Sequence, residues 1–177
     1  MKSLLRLLTP NRYLTSIHAL RPAELAAQGI TGLIVDLDNT LIPWNGGNPA
    51  DRRLADLVSS FTDAGIKVCI VSNNWGPRVD AFGEALHVPV VGRAMKPRRG
   101  PFRRAMELLG TKTRETAVVG DQLFTDILGG NRLGLYTILV RPISQREFIG
   151  TKIVRRLERL VLSALSRRGL LNSFEGE

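Results

Sequence analysis

The sequence predicts an α/β protein, a doubly wound parallel sheet with helices on both faces. Two observations lead to this fold class. Short apolar runs typical of buried strands alternate with stretches of helical periodicity from about residue 30 to 140. Several of these runs end abruptly in polar side chains, as expected where parallel strands reach the edge of a sheet that binds ligands.

Length and composition indicate one globular domain over residues 1–177, with 44% apolar residues. No apolar run is long enough to span a bilayer, and Arg6 and Pro10 interrupt the amino-terminal apolar run, which argues against a cleavable signal peptide. Cys69 is the only cysteine, so an intramolecular disulfide is excluded and a reducing cytoplasm fits. The net charge of +9 indicates attraction to a polyanion: nucleic acid, an anionic membrane surface or a phosphorylated substrate.

The first core strand is preceded by two short predicted helices, over residues 3–8 and 21–29. The strand Leu33–Val35 stops at Asp36 and Asp38, alternate residues whose side chains would point the same way. Two adjacent like charges need a cation or a shared proton, so the pair is a candidate phosphate and metal site. Asp, Asn and Thr also favour turns, and an ordinary strand-end turn is the alternative for this stretch.

The elements that follow keep alternating. Residues 42–49 are rich in Pro and Gly, and we expect them to form a loop that lies over the two aspartates. Asn48 is predicted to cap a helix that begins at Pro49 and stops at Gly65. After it come a strand 66–72, a helix 77–86, a strand 88–91, a helix 100–109, a strand 116–120, a helix 124–133 and a strand 135–140. Gly129 and Gly130, inside the helix 124–133, imply either close packing or a break.

Seven polar residues lie just after the predicted strands or in the loops that follow them. They are Asp36, Asp38, Ser72, Asn73, Lys96, Asp121 and Asp126. Because parallel strands end at the same edge of a sheet, these side chains are expected to gather there.

Four segments, in this order and after the right strands, resemble the four motifs of the haloacid dehalogenase-like (HAD) phosphatase superfamily. They are Asp36-Leu37-Asp38-Asn39-Thr40, Val71-Ser72-Asn73-Asn74, Lys96-Pro97 and the stretch from Gly120-Asp121 to Asp126. The resemblance covers residues 30 to 140. The last segment, followed by Gly129-Gly130-Asn131-Arg132, is similar to the YqeG-type branch of subfamily IIIA, which resembles the mitochondrial phosphatidylglycerophosphate phosphatases of fungi and plants.

The resemblance implies roles for the catalytic and phosphate-binding residues. Asp36 would be the nucleophile that forms an aspartyl phosphate, and Asp38 the general acid and then base. Ser72 and the backbone N–H of Asn73 would hold phosphoryl oxygens, and Lys96 would offset the charge of phosphate and nucleophile.

The resemblance also implies a Mg²⁺ site. Asp36, the backbone carbonyl of Asp38 and Asp121 would bind the ion, with Asp126 acting directly or through water. HAD enzymes often insert a cap domain between their motifs, but here residues 41–65 and 75–95 hold only one loop-helix unit and one helix-strand unit, so no cap is expected.

An open, capless site suits a large substrate or one anchored in a surface. The first functional hypothesis is therefore a phosphatase that acts at an anionic membrane on a lipid head-group phosphate, such as that of phosphatidylglycerophosphate. The alternatives are a soluble phosphatase for a phosphosugar, nucleotide or phosphoprotein, and a basic RNA- or ribosome-binding protein with a secondary phosphatase site. No RNA-binding signature is visible.

Residues 151–168 predict a basic amphipathic helix. At 100° per residue one face carries Ile153, Leu157, Leu160, Val161, Ala164 and Leu165, and the other Lys152, Arg155, Arg156 and Arg159. This pattern fits either a helix docked on the core with a solvated basic face, or a helix on the inner face of a membrane, which would make a cytoplasmic protein peripheral. The tail over 172–177 is predicted to be disordered, and the sequence does not indicate an oligomeric state.

Overall fold

A computed structural model of the chain describes residues 4–44, 46–144 and 149–171, with the backbone alone over 149–153. Within these residues the strands form a six-stranded parallel sheet in the order β1-β6-β5-β2-β3-β4. The strands are β1 (Arg12–Leu14), β2 (Gly32–Val35), β3 (Lys67–Val71), β4 (Val90–Val91), β5 (Thr116–Gly120) and β6 (Tyr136–Val140). Strand β2 lies between β3 and β5, with Gly32 aligned to both Lys67 and Thr116.

Seven α-helices connect or flank the strands in the described part of the chain. They are α1 (Leu4–Leu7), α2 (Pro22–Ala27), α3 (Arg52–Asp63), α4 (Pro77–Leu86), α5 (Arg99–Leu109), α6 (Leu128–Asn131) and α7 (Ile149–Arg167). A π-helical turn, Leu123–Ile127, precedes α6, and 3₁₀ turns cover Ile17–Ala19 and Thr113–Glu115.

The sheet separates apolar layers on its two faces. On one face α2, α3 and α4 bury side chains such as Phe61 and Phe82 against β2 and its neighbours. On the other, α5 packs Phe102 against Ile34 and Val118, while the π-turn and α7 form a further cluster around Leu139. Helices therefore cover both faces, which confirms the predicted doubly wound α/β fold.

Helix α3 begins later than predicted. Asp51, rather than Asn48, is its N-cap, because the Asp51 carboxylate accepts a hydrogen bond from the Arg53 backbone N–H at 2.9 Å. Asn48 instead accepts from the Ala50 N–H at 3.0 Å and forms a turn before the helix. The short edge strand β1 is absent from the sequence-based prediction, because three residues are too few to show a periodic pattern.

The helix predicted over 124–133 is divided between the π-turn and the short helix α6. Its two glycines reflect close packing. A Cβ on Gly129 would overlap the ring of Phe102, and one on Gly130 would meet Val118 Cγ1 at 2.5 Å. Glycine at these positions lets α6 lie directly against α5 and the sheet.

No helix in the described ranges is long and apolar enough to cross a membrane. The described residues between β2 and β3 and between β3 and β4 form only α3 and α4 with the loops around them, and no cap domain is seen among them. The tail from residue 172, predicted to be disordered, lies outside the described residues.

Candidate active site

An open cleft of about 450 Å³ lies at the carboxyl edge of the sheet. Its lining includes Asp36, Asp38, Ser72, Asn73, Lys96 and Asp126, six of the seven residues that the sequence places at this edge. The seventh, Asp121, lines the neighbouring cavity but keeps a carboxylate oxygen within 4.8 Å of Asp36 and Asp126 oxygens. The structure thus brings all seven together.

Asp36 and Lys96 form a buried ion pair at the centre of this group. The Lys96 Nζ donates to Asp36 Oδ1 at 2.5 Å, to Asp126 Oδ1 at 2.6 Å and to the Val71 carbonyl at 3.0 Å. Burial raises the pKa of Asp36 to about 6, against the opposing charge of Lys96 and with a further upward contribution from Asp126. Burial alone would lower the pKa of Lys96, but the Asp126 and Asp36 carboxylates raise it above its ordinary value, so the ammonium stays charged.

The carboxylates of Asp36, Asp121 and Asp126 form a compact acidic cluster. The Asp126 carboxylate is held in place through Oδ2, which accepts hydrogen bonds from the Gln122 N–H at 3.3 Å and from the Thr125 hydroxyl at 3.1 Å. It can approach β5 because Gly120 has no side chain, and a Cβ there would overlap the Asp126 carboxylate.

Asp121 has one carboxylate oxygen in use and one without a partner. Its Oδ2 is bonded to Arg155, whereas the buried Oδ1 has no hydrogen-bond partner among the residues described. Burial and the charge of Asp36 raise the pKa of Asp121 well above its usual range, although Arg155 opposes the shift. A buried carboxylate that keeps one oxygen unpaired and lies close to two further carboxylates fits a hard divalent cation.

Asp38 is held apart from the acidic cluster, at the opening of the cleft. Arg78 Nη2 donates to its two oxygens at 2.8 and 2.9 Å, and Asn74 Nδ2 donates to Oδ2 at 2.7 Å. Asp38 is therefore not among the three carboxylates that converge, and only its backbone could join a metal site there. Sequence reasoning assigned no role to Arg78, which lies on helix α4 and belongs to none of the four motif segments.

The loop after β3 arranges the predicted phosphate-binding residues. Ser72 is buried and its Oγ accepts from the Asn74 N–H at 3.1 Å, which fixes the start of the turn. The exposed Asn73 accepts from the Lys96 backbone N–H at 2.7 Å, so this loop is bonded to the loop after β4. The side chains of the two loops are thereby held around one opening.

Helix α7 reaches the acidic cluster, which the sequence did not indicate. Arg155 Nη1 donates to the Asp121 carbonyl at 2.6 Å and to Glu158 Oε2 at 2.9 Å, and its Nη2 bonds the Asp121 carboxylate. The Glu158 Oε1 accepts from the Leu123 N–H at 2.7 Å. The prediction that Arg155 belongs to a solvated basic face is therefore wrong, because this side chain is paired inside the protein.

The predicted apolar face of this helix also needs correction. If the helix docked on the core through that face, Leu157 and Leu160 would be buried, but they are 50% and 67% exposed. The helix instead turns Glu158 and Leu165 fully inward, with Val161 and Leu162 partly buried between them. The ion pair of Arg155 with Asp121 and the amide contacts of Glu158 set this orientation. Of the predicted faces, the side chains of Lys152 and Ile153 lie outside the described residues.

Comparisons with known proteins show which family the chain resembles. A family model described as HAD-hydrolase-like matches residues 94–145. The chain is 42% identical over 160 residues to the probable phosphatase YqeG of Bacillus subtilis, covering 90% of this chain and 92% of that protein. It is 32% identical over 162 residues to phosphatidylglycerophosphate phosphatase 1 of Arabidopsis thaliana, covering 82% of this chain and 44% of the plant protein.

This chain thus spans less than half the length of the plant relative.

Among solved structures, an uncharacterized protein from Corynebacterium glutamicum superposes with a TM-score of 0.52 at 23% identity, covering 84% of this chain and 98% of that one. That likeness supports the fold alone.

Proposed function

Because the chain belongs to the haloacid dehalogenase-like (HAD) phosphatase family, we propose that it is a Mg²⁺-dependent phosphomonoester hydrolase that works through an aspartyl phosphate on Asp36. The observation that carries this proposal is the position of the Asp36 carboxylate. It lines an open cleft, 2.5 Å from Lys96 Nζ and within 4.8 Å of oxygens of Asp121 and Asp126.

In the first half of the reaction an Asp36 oxygen forms a bond to phosphorus while the bond to the leaving oxygen breaks. Lys96 bonds Oδ1 and the Thr40 hydroxyl donates to Oδ2 at 3.2 Å, so the carboxylate is oriented before substrate arrives. Asp38 gives its proton to the leaving oxygen. In the second half Asp38 takes a proton from the water that attacks phosphorus, which releases Asp36 and inorganic phosphate.

Neighbouring groups supply the positive charge and hydrogen bonds that this chemistry needs. In this proposal the Ser72 hydroxyl and the Asn73 N–H donate to phosphoryl oxygens, and the Lys96 ammonium would balance charge between phosphate and nucleophile. Arg78 and Asn74 fix the orientation of the Asp38 carboxylate, which supports its proposed role beside the leaving group.

Mg²⁺ fits the donor set of Asp36, Asp121 and Asp126. By the family resemblance, the Asp38 carbonyl would be the backbone ligand. Within the described residues Asp121 Oδ1 has no hydrogen-bond partner, which supports this assignment, since a buried carboxylate oxygen is costly unless a cation or donor satisfies it. When bound, the ion neutralises charge on the nucleophile and on the phosphoryl oxygens.

We assign the substrate to lipid head-group phosphates, with phosphatidylglycerophosphate as the first candidate. Support comes from the name of the plant relative and from the open cleft, which needs no closure around a small molecule. Next to the cleft, Trp75 and Met95 are 69% and 56% exposed, and the Arg93 guanidinium stacks 5.5 Å from the Trp75 ring centroid. Aromatic and basic side chains of this kind suit a lipid–water interface.

The outer side of α7 supports the same membrane assignment. This outer side consists of Arg156, Leu157, Arg159 and Leu160, which are exposed around the middle of the helix. Arg156 and Leu160 lie opposite the buried Glu158, and Leu157 and Arg159 flank it. Apolar side chains flanked by arginines can enter the head-group region while the guanidinium groups contact lipid phosphates.

A phosphate-release assay tests the proposal. Phosphatidylglycerophosphate in mixed vesicles with Mg²⁺ is compared with a phosphosugar, a nucleotide and a phosphopeptide, and we expect the lipid to have the highest kcat/KM. Asp36→Asn, purified in parallel, controls for contaminating phosphatases because it cannot form the covalent intermediate.

The outcomes are distinct. Faster hydrolysis of any soluble phosphate would replace the lipid assignment with that substrate class, and no hydrolysis of any phosphomonoester would reject the phosphatase. Displacement of the protein from anionic vesicles by RNA would favour a nucleic-acid partner for the basic surface.

A further inference from the structure

The α7 residues Arg155 and Glu158 bridge the carboxyl-terminal helix to the loop that carries Asp121 and Asp126. One guanidinium binds both the backbone carbonyl and the carboxylate of Asp121, at 2.6 Å for the carbonyl. This double contact leaves the Asp121 carboxylate little freedom to rotate. The arginine occupies one oxygen of this carboxylate, Oδ2, while Oδ1 has no hydrogen-bond partner among the described residues.

Glu158 acts on the next residues of the same loop. It is only 3% exposed, and its Oε1 accepts from the N–H groups of Leu123 and Phe124 at 2.7 and 3.4 Å. These amides begin the π-turn, whose own N-cap residue Gln122 makes no capping hydrogen bond through its side chain. A carboxylate from another helix therefore satisfies the orphan amides of the turn that bears Asp126.

The two side chains also neutralise each other. Arg155 Nη1 and Glu158 Oε2 are 2.9 Å apart, so the pair adds little net charge near the acidic cluster. Because Glu158 partly offsets the charge of Arg155, we expect the pair to act on a bound cation mainly by setting where Asp121 and the π-turn lie.

We propose that Arg155 and Glu158 are positioning residues for the metal site. Helix α7 would then contribute to the phosphatase centre by holding the loop that carries Asp121 and Asp126. This inference rests on the proposed function, because it assumes that the cluster of Asp36, Asp121 and Asp126 binds Mg²⁺. Neither side chain touches substrate or ion. Each acts through the Asp121 loop.

Calorimetric Mg²⁺ binding to the purified full chain tests the inference without relying on turnover. The double variant Arg155→Gln with Glu158→Gln keeps the net charge but removes both anchors, and Arg155→Lys keeps the charge but cannot hold the carbonyl and the carboxylate together. We expect both to bind Mg²⁺ about 10- to 100-fold more weakly, as for other partners that orient metal ligands. Arg167→Gln, an exposed position in the last turn of α7, should bind like the parent.

Amide hydrogen exchange supplies a second readout. Loss of Glu158 should raise exchange at Leu123 and Phe124, whereas Arg167→Gln should leave it unchanged. If the double variant does not fold, the binding constant of Arg155→Lys decides the question. Equal or tighter Mg²⁺ binding in a folded variant would overturn the inference, since the arginine would then be neutral towards the ion or compete with it.

Mg²⁺ binding and phosphatase activity, measured on the same proteins, distinguish a failure of this inference from a failure of the proposed function. A parent protein that binds Mg²⁺ but hydrolyses no phosphomonoester would reject the phosphatase while the binding comparison still stands. A parent that is an active phosphatase, with variants that bind Mg²⁺ equally well, would reject the positioning role alone.

Discussion

Asp36 is a buried carboxylate surrounded by other acids and balanced by one lysine. Its pKa of about 6 means that the folded protein holds its proton more tightly than the unfolded chain does, mainly because of burial. The pKa of this carboxyl is about 4 in the unfolded chain, so its contribution to stability is fully present below about pH 4. That contribution is lost as the pH rises through the folded-state pKa of about 6.

Asp36→Asn should consequently abolish turnover while leaving the free energy of unfolding equal or higher at pH 7. The amide has the same shape, cannot attack phosphorus and carries no charge to be desolvated. Urea unfolding of metal-free parent and variant at pH 4 and pH 7 checks this, with any gain largest at pH 7. Lower stability of the variant at pH 7 would show that the Lys96 contact outweighs burial.

Asp38 should give a different kinetic result, because its variant keeps the nucleophile. Asp38→Asn removes proton transfer to the leaving group and from water, steps that typically carry about 10² to 10⁴ in rate. The loss should be smaller for aryl than for alkyl phosphates, since a good leaving group needs less protonation. Steady-state rates on both ester types measure this, and equal losses would exclude Asp38 as the acid.

At the scale of the secondary-structure elements, the outer side of α7 makes a quantitative prediction. Arg156→Gln with Arg159→Gln removes two exposed charges, each worth about 1 kcal/mol near an anionic bilayer. Binding to anionic vesicles should fall about 30-fold, the equivalent of about 2 kcal/mol.

The exposed Arg103 and Arg104 on α5 provide a matched control, because Arg103→Gln with Arg104→Gln lowers the net charge by the same amount. Sedimentation with vesicles measures both variants. Equal losses would mean that binding follows overall charge and not helix α7.

The packing of α6 on α5 can be tested through a glycine. In Gly129→Ala the new methyl group would overlap the Phe102 ring, and overpacking of this kind costs about 1–3 kcal/mol. Gly100→Ala on α5 is the control, since a Cβ there meets no atom within 4 Å and should be neutral or stabilising. Chemical denaturation of the two variants gives the comparison, and equal stability would place α6 farther from α5.

At the scale of the molecule, the fold and most of the site were predictable because the information is local. Asp36, Ser72 and Asp121 each follow directly after an apolar strand, and parallel strands bring such positions to one edge whatever the rest of the chain does. The orientation of α7 was not predictable in this way. Arg155 lies 34 residues from Asp121, and only the folded structure brings a helical arginine to that carboxylate.

The error at the start of α3 has a different origin. Asn48 and Asp51 are equally good capping residues, so residue type alone allows the helix to begin after either one. Pro49 favours the earlier start, because proline suits the first turn of a helix. The backbone path of the preceding loop decides between them, and residue type alone does not encode that path.

The strand order has a consequence for how such a protein can diversify. The aspartates of the proposed active site follow the central strands β2 and β5, whereas Trp75, Arg93 and the outer side of α7 come from the flanks of the sheet. Mutations that accumulate on the flanks can change which molecule is accepted without moving the reacting groups. Proteins with this fold can therefore acquire new substrates through substitutions at the flanks of the sheet while they keep the same reaction.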